Sequence, residues 1–406
     1  MKILWEEIEM TEEFASRVSI TSKSGLNAIY PSHDPEMISF TGGFPDASLF
    51  PTQELGDSFQ NVISGKQTPF QYQIGEESEP LRNQISQLLA ADGTQVDASK
   101  IMVTQGAQQG LDLVAKLLIN KGDGLVVEGP TYIGALAAFD AYEPTYYTVG
   151  MEEDGMNLVD LKKILIQQHV KLIYTIPDFQ NPTGTVMSLA KRKQLVELAN
   201  RYDVLLLEDA PYRWLRYEGE SLPTLKSLDT QDRVIQLGSF SKILAPALRL
   251  GWLTAGNDLF ERLQELKGGS DLETSSLMIQ TVDYYLTHYD LNEHLGKLQK
   301  SYQVKRNAMM NAMERYLPDF AHYTKPQGGF FTWLTVPEDL DLEKVQNNQL
   351  KPSFHVMMIP STNLFPDKTH RNGARISFSN VTLSQIDLGI QRLSNGLSSG
   401  HQKRSV

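Results

Sequence analysis

Residues suited to an amine reaction and to phosphate binding surround Lys242. Ser239 and Ser241 precede this lysine, and Arg249 follows it. Two hydroxyl groups and a guanidinium suit a phosphate monoester, because all three donate hydrogen bonds to its oxygens. An amine beside them can condense with an aldehyde. A lone lysine is usually a solvated surface residue, but this one lies between apolar, strand-like runs, which favours a reactive site.

Asp209 ends a strand-like run whose residues Val204–Leu207 are all apolar, so its carboxylate would be partly buried and would need a positive partner. The protonated pyridine nitrogen of pyridoxal phosphate is such a partner, and this cofactor also carries an aldehyde and a phosphate. Tyr212 is expected to face the same pocket. The alternative is an aspartate that caps a helix and a tyrosine that only packs.

Three further segments carry candidate binding groups. A turn with Gly106, Ala107 and Gln108 joins a strand to a helix and would bind an anion through its backbone N–H groups. Asn181 begins an Asn-Pro-Thr-Gly turn after another strand, and Arg375 could pair with a carboxylate. Each has an ordinary alternative: a strand–helix turn, a plain turn and a surface ion pair.

The composition argues against several classes of site and partner. The 406-residue chain has a formal net charge of −12, which disfavours nucleic acid as a partner. It has no cysteine, and its eight histidines show no metal-binding spacing, so we expect no metal site. No apolar run approaches about 18 residues and the N-terminus lacks a signal-peptide core, so we expect no membrane association and a cytoplasmic location.

The predicted elements place the candidate residues at one edge of a sheet. Short apolar runs alternate with amphipathic helical patterns, and these runs lie near residues 101–103, 124–128, 171–176, 204–208, 234–237 and 251–255. The alternation predicts an α/β fold with a mostly parallel sheet sandwiched by helices. Ligands of such folds bind at the carboxyl ends of the strands.

The length predicts two domains, and the pattern changes near residue 290. Residues 51–290 would form the large cofactor-binding domain, and residues 291–406 a smaller α+β domain that begins with a long charged helix. Residues 1–50 are too few to fold alone, so we expect an N-terminal arm that packs on the small domain.

The order of these motifs resembles that of the class I/II aminotransferases, which depend on pyridoxal phosphate and have fold type I. The resemblance spans nearly the whole chain and rests on Asn181-Pro-x-Gly, Asp209-x-x-Tyr212, Ser239-x-Ser-Lys242 with Arg249, and Arg375. Gly42-Gly-Phe-Pro45 is most similar to the α-aminoadipate and kynurenine branch. The resemblance implies fold-type-I architecture and transaminase activity.

The resemblance also implies roles in binding the cofactor. Lys242 would form a Schiff base with it and then move the substrate proton, while Asp209 would keep the pyridine nitrogen protonated. Asn181 and Tyr212 would hydrogen-bond the ring's phenolate oxygen, and Tyr132 would stack on the ring. The phosphate would be held by Gly106, Ala107, Gln108, Ser239, Ser241 and Arg249.

Further roles concern the substrate and a second subunit. Arg375 would pair with the substrate α-carboxylate, assisted by Asn181 and by the backbone near Gly43. Tyr72 resembles a tyrosine that reaches the phosphate of the neighbouring subunit, which implies a homodimer with shared active sites. Asn27 stands where the aminoadipate branch binds a distal carboxylate through arginine, so we expect aromatic, branched or other apolar substrates.

The chain departs from the family pattern at two more places. Ala107 replaces a common serine or threonine, and residues 356–362 replace a Pro-Gly turn near the substrate. The leading hypothesis is transamination between an L-amino acid and a 2-oxo acid. One alternative is β-elimination or decarboxylation with the same cofactor. Another is the non-enzymatic effector domain of a transcription regulator, which the short segment before Gly42 and the acidic charge disfavour.

Overall fold

The computed structural model describes residues 15, 17–18, 34–65, 70–73 and 78–402. Its largest element is an eight-stranded sheet, with strands in the spatial order Ile101–Thr104, Gly251–Thr254, Val234–Ser239, Leu205–Asp209, Val170–Thr175, Gly124–Gly129, Thr145–Glu152 and Gly155–Met156. Gly251–Thr254 runs antiparallel to both of its neighbours, and Gly155–Met156 runs antiparallel to the strand beside it. The other pairs are parallel, which confirms the mostly parallel sheet.

Helices cover both faces of this sheet, which is why the side chains of its central strands are mostly buried and largely apolar. One face packs against Ala107–Leu118, Ile133–Phe139 and Asn257–Asp271, and the other against Leu158–Gln167 and Leu189–Tyr202. From residue 34 to residue 290, the described residues also form the helices Thr52–Ser64, Ser78–Ala91, Leu225–Leu228 and Ser276–His288. Short 3-10 turns occur at Ala47–Leu49, Ala98–Lys100, Asp140–Tyr142 and Pro246–Leu248.

A second, smaller sheet lies in the C-terminal part of the chain. Its antiparallel strands follow the order His322–Tyr323, Phe331–Thr335, Gly373–Ser377 and Ile359–Pro360. Its core contains residues from two long helices and from a shorter helical segment, namely Leu291–Tyr316, Leu383–Gln402 and Leu342–Phe354, the last with a π-helical stretch at Gln346–Leu350. A 3-10 turn, Ser361–Leu364, completes this part.

Residues that precede the large sheet in sequence form a separate two-stranded sheet and pack against the core of the small one. Ile38–Ser39 pairs in parallel with Val356–Met357, and Ile38 and Phe40 are buried in the same core as Met309. The described residues of the N-terminal segment thus contact the C-terminal part. The limits 1–50, 51–290 and 291–406 remain our proposal for the domains.

The architecture confirms the predicted α/β class with an additional α+β part. Sequence patterns did not predict the strand Thr145–Glu152, because it lies near the edge of the sheet and most of its side chains are at least partly exposed. In the described part of the chain, we find no helix of the length and apolar character needed to cross a membrane. No group of metal-ligating side chains occurs among those residues either.

Candidate active site

A cavity of about 270 Å³ lies at the carboxyl ends of the central strands of the large sheet, next to the small sheet. Chain segments that are distant in sequence meet there because the carboxyl ends of parallel strands share one edge. The structure brings most of the predicted site residues to its wall: Gly43, Ala107, Gln108, Tyr132, Asn181, Asp209, Tyr212, Ser239, Ser241, Lys242, Arg249 and Arg375.

Lys242 follows the buried strand Val234–Ser239, and its Nζ donates a hydrogen bond to the carbonyl oxygen of Gly43 at 2.9 Å. Burial lowers the pKa of Lys242 to about 8, and the positive charges of Arg375 and Arg249 act in the same direction. A lysine with such a pKa has an appreciable fraction of neutral amine near neutral pH. The neutral amine is the form that attacks a carbonyl or accepts a proton.

Asp209 is the last residue of the strand Leu205–Asp209 and is only 2% exposed. Its Oδ2 accepts a hydrogen bond from the hydroxyl of Tyr174 at 2.9 Å. Its Oδ1 is buried and has no hydrogen-bond partner among the described residues. Burial raises the pKa of Asp209 to about 6, against the lowering effects of Tyr174 and Lys242. This carboxylate therefore has one oxygen available for a positive group.

The amide of Asn181 and the rings of Tyr212 and Tyr132 form another part of the wall. Asn181 Nδ2 lies 3.5 Å from the hydroxyl of Tyr212, and both residues are buried. Burial raises the pKa of Tyr212 above its ordinary value, so this hydroxyl stays protonated and can donate a hydrogen bond. The amide and the hydroxyl can therefore act together on one oxygen of a ligand.

Groups that could bind an anion lie at the start of the helix Ala107–Leu118. Gly106 has φ +73°, and a Cβ there would lie 2.8 Å from Arg249 Nη2, so only glycine lets the arginine approach this closely. Arg249 Nη2 donates to the carbonyl of Gln105 at 3.0 Å. Ser239 Oγ accepts from the N–H of Ser241 at 3.1 Å. The unpaired N–H groups of the helix start and the arginine favour a phosphate here. Ala107 contributes no hydroxyl.

Arg375 extends from the small-sheet strand Gly373–Ser377 into the cavity and is only 2% exposed. Its Nη1 donates to Asn181 Oδ1 at 2.9 Å and its Nη2 donates to the carbonyl of Thr41. Its guanidinium also lies 4.5 Å from the centre of the Phe331 ring. Burial lowers the pKa of Arg375 to about 10. Its Nε has no hydrogen-bond partner among the described residues, so the side chain can still bind an anion.

Of the predicted site residues that the structure describes, two do not line this cavity: Tyr72, and Gly106, which directly precedes the lining residue Ala107. Tyr72 is 67% exposed and does not line the cavity. Asn27, the predicted reader of the substrate side chain, lies outside the described residues.

Sequence reasoning missed Tyr174, Thr41 and Phe331. Tyr174 occurs inside an apolar strand run, where a tyrosine is usually a packing residue. Thr41 contributes through its backbone carbonyl, which carries no sequence signal. Phe331 immediately follows the Gly328-Gly-Phe stretch and is almost fully buried, so its type alone predicts only a core position.

The donor set fits pyridoxal phosphate. A buried carboxylate with one unpaired oxygen suits a protonated ring nitrogen, and this oxygen belongs to Asp209. The turn at Gly106, with Arg249 beside it, suits the phosphate, and the amine of Lys242 suits the aldehyde. These three groups line or adjoin one cavity, as the resemblance implied.

The comparisons with known proteins agree with this chemistry. The aminotransferase class I and II family matches residues 38–393. The chain is 37% identical to aromatic-amino-acid aminotransferase 1 of Thermococcus litoralis, over 88% of this chain and 87% of that protein. It is 33% identical to the multiple substrate aminotransferase of Thermococcus profundus, with a TM-score of 0.88 over 98% of each chain.

A third similar protein was solved with a cofactor derivative. The α-aminoadipate aminotransferase LysN of Thermus thermophilus, complexed with N-(5′-phosphopyridoxyl)-L-leucine, superposes with a TM-score of 0.89. Its identity is 30%, and the match covers 96% of this chain and 98% of that one. The family match, the similar proteins and the fit of the cavity lead to one conclusion. The chain belongs to the class I and II aminotransferases and is a pyridoxal-phosphate-dependent enzyme of fold type I.

Proposed function

We propose that this protein transfers an amino group between an L-amino acid and a 2-oxo acid, with aromatic, branched or other apolar amino acids preferred. One observation carries the proposal. A single cavity brings together the amine of Lys242, an unpaired oxygen of Asp209 and the buried guanidinium of Arg375. Transamination needs these three groups, because it requires a proton carrier, an anchor for the cofactor ring and an anchor for the substrate carboxylate.

The proposed binding residues hold the cofactor at three points. Asp209 would pair through Oδ1 with the ring nitrogen, and Asn181 with Tyr212 would bind the phenolate oxygen. Tyr132 would stack on the ring. The phosphate would be held by Gly106, Ala107, Gln108, Ser239, Ser241 and Arg249. When bound, pyridoxal phosphate supplies an electron-accepting ring conjugated to the amino group of the substrate.

Lys242 has two proposed tasks, which follow from its lowered pKa. Its neutral amine would hold the cofactor through the aldehyde in the resting enzyme and would give way to the amino group of the substrate. The Nζ set free in this way would accept the proton of the substrate Cα, hold it and donate it again within the site. A lysine with a pKa near 8 suits both directions of proton transfer.

The remaining lining supports the proposed substrate preference. Arg375 would form a bidentate pair with the α-carboxylate, and Asn181 already orients its Nη1. Beyond these polar anchors the cavity is lined by apolar side chains, among them Phe44, Ile133 and Ile176. The similar proteins are named for aromatic amino acids, multiple substrates and α-aminoadipate. The apolar lining favours aromatic amino acids over α-aminoadipate.

The active unit we propose is a homodimer. Phe70 and Tyr72, which are two residues apart, are 76% and 67% exposed, and an interface between subunits would account for two exposed aromatic side chains so close together. In the dimer, Tyr72 would reach the phosphate in the neighbouring subunit.

A Tyr72→Phe variant is expected to bind the cofactor about 10-fold more weakly, because one hydrogen bond to a charged group is lost. Unchanged affinity in an intact dimer would contradict this role.

A half-reaction screen tests the proposed activity. Purified holoenzyme is mixed with phenylalanine, leucine, aspartate or α-aminoadipate, and the visible absorbance of the cofactor is followed. We expect phenylalanine and leucine to react fastest and to yield their 2-oxo acids. Reaction with aspartate or α-aminoadipate alone would contradict the apolar preference. Release of ammonia from β-chloroalanine without any amino-group transfer would instead indicate a lyase.

A further inference from the structure

We propose that Tyr174 is a positioning residue that orients Asp209 so that its free oxygen faces the cofactor site. The inference rests on the role proposed above for Asp209. Tyr174 would act through Asp209, because its hydroxyl donates a hydrogen bond to Oδ2, the carboxylate oxygen on the side away from the cofactor site.

The strand register explains why a tyrosine occupies this position. Tyr174 lies opposite Leu207 on the neighbouring strand. Side chains two residues apart in a strand share one face, so Leu207 and Asp209 face the same side of the sheet. Asp209 is thus the diagonal neighbour of Tyr174, and the long side chain of a tyrosine can span the distance between them, whereas the side chain of a serine cannot.

Packing holds the ring of Tyr174 in place independently of its hydroxyl group. The side chain is fully buried, and its ring contacts that of Phe139 edge to face, with 5.4 Å between centroids. The surrounding cluster is apolar and includes Leu111, Leu172 and Leu207. Burial raises the pKa of the Tyr174 hydroxyl well above its usual range, so the group stays a donor. A rigid donor therefore holds the carboxylate in one orientation.

The bond determines which oxygen of Asp209 is free. An aspartate side chain has only two rotatable bonds, and fixing Oδ2 leaves the other oxygen in one place. Oδ1 is the buried oxygen without a partner among the described residues, and Asp209 lines the cavity. Without the hydroxyl of Tyr174, both oxygens would lack a partner and the carboxylate could rotate. Its ionised form would also lose the hydrogen bond that lowers its pKa.

The test compares Tyr174→Phe with Tyr146→Phe in the holoenzyme. Tyr146 is the matched control, because its hydroxyl donates to Asp140 Oδ1 at 2.8 Å and its ring packs against the same apolar cluster, away from the cavity lining. Tyr174→Phe should weaken cofactor binding about 10-fold and lower kcat by a similar factor, since a hydrogen bond to a charged group is lost. KM for the amino acid should change less than about 2-fold.

A pH profile separates positioning from simple packing. In Tyr174→Phe the acid limb of the kcat/KM profile should move to higher pH, because Asp209 loses the hydrogen bond that lowers its pKa. In Tyr146→Phe the acid limb and the cofactor affinity should both equal those of the wild type. Equal cofactor affinity and equal pH limbs in the two variants would overturn the proposal, even if both lost stability.

Asp209→Asn and the double variant Asp209→Asn/Tyr174→Phe complete the cycle. If Tyr174 acts through Asp209, its replacement should change cofactor affinity much less in the Asp209→Asn background. Equal effects in both backgrounds would overturn the positioning role. A different result would refute the proposed function itself, namely an unchanged half-reaction rate in the single variant Asp209→Asn. Tyr174→Phe keeps the buried ring and its contact with Phe139, so it removes only the hydroxyl, and the free energy of unfolding measured for both tyrosine variants identifies any loss of stability.

Discussion

Two groups of buried charges lie close to the same sheet edge and differ in how they are paired. We call the first the ion cluster: Asp178, Arg192 and Arg213. Arg192 Nη2 lies 2.6 Å from Asp178 Oδ1, and Arg213 Nη1 lies 2.8 Å from Asp178 Oδ2. The second group is formed by Asp209 and Arg375 in the cavity, neither of which forms an ion pair among the described residues.

The pKa values reflect this difference. Burial alone would raise the pKa of Asp178, but Arg192 and Arg213 outweigh it, so the pKa lies below the usual value. Burial raises the pKa of Asp209 to about 6, and no arginine offsets it. Burying a charge is costly unless a partner compensates it. The ion cluster is compensated within the chain, whereas the cavity charges are arranged for a cofactor and a substrate.

Replacement of Lys242 should have the largest effect on activity. Lys242→Ala removes both the covalent attachment point and the proton carrier, so the half-reaction should slow by about 10⁴-fold or more. Lys226→Ala is the control, since Lys226 pairs with Asp229 away from the cavity. It should react at the wild-type rate. Stopped-flow absorbance measures both rates, and normal turnover by Lys242→Ala would refute the proposed mechanism.

Breaking the ion cluster should affect stability instead. Asp178→Asn leaves two buried arginines without their shared carboxylate, and the free energy of unfolding should fall by about 3–5 kcal/mol. Asp160→Asn, which breaks an exposed pair with Lys163, should cost less than about 1 kcal/mol. Urea unfolding of both variants measures the difference. Equal losses would mean that the ion cluster contributes no more than a surface pair.

Lys242 should also give the cofactor-free protein a distinctive pH dependence. Its pKa in the folded state, about 8, lies below the ordinary lysine value of 10.5, so the folded state binds fewer protons between these two pH values. Stability should therefore rise with pH across this window, by up to about 3 kcal/mol. The gain should be absent in Lys242→Met. Parallel pH curves for the two proteins would show that Lys242 has an ordinary pKa.

Arg375 should have a smaller effect, confined to substrate binding. Arg375→Lys keeps a positive charge but loses bidentate pairing, so kcat/KM for the amino acid should fall by about 10²-fold. The same change at the exposed Arg371, which pairs with Glu343, should alter kcat/KM by less than about 2-fold. A loss at Arg371 as large as that at Arg375 would show that the effect is not specific to the cavity.

Local patterns predicted the large sheet and the positions of Asp209 and Lys242 at its edge, for a physical reason, whereas the roles of Tyr132 and Gly43 came from the family resemblance alone. Buried parallel strands are apolar runs, and their carboxyl ends carry the ligand-binding groups, so Asp209 and Lys242 could be placed from the sequence. The partners of Asp178 could not be predicted, because Arg192 and Arg213 lie 14 and 35 residues away in the sequence. The bond from Tyr174 depends on strand register, which a single sequence does not give.

The most direct test of the comparison is the effect of Asp209→Asn on two quantities: the stability of the cofactor-free protein and the half-reaction rate of the holoenzyme. Because burial outweighs the favourable effects of Tyr174 and Lys242 on the Asp209 charge, the free energy of unfolding of Asp209→Asn at pH 8 should be higher than that of the wild type, by up to about 3 kcal/mol. The half-reaction should slow by at least about 10²-fold. A loss of several kcal/mol, as expected for Asp178→Asn, together with a normal half-reaction, would contradict the account.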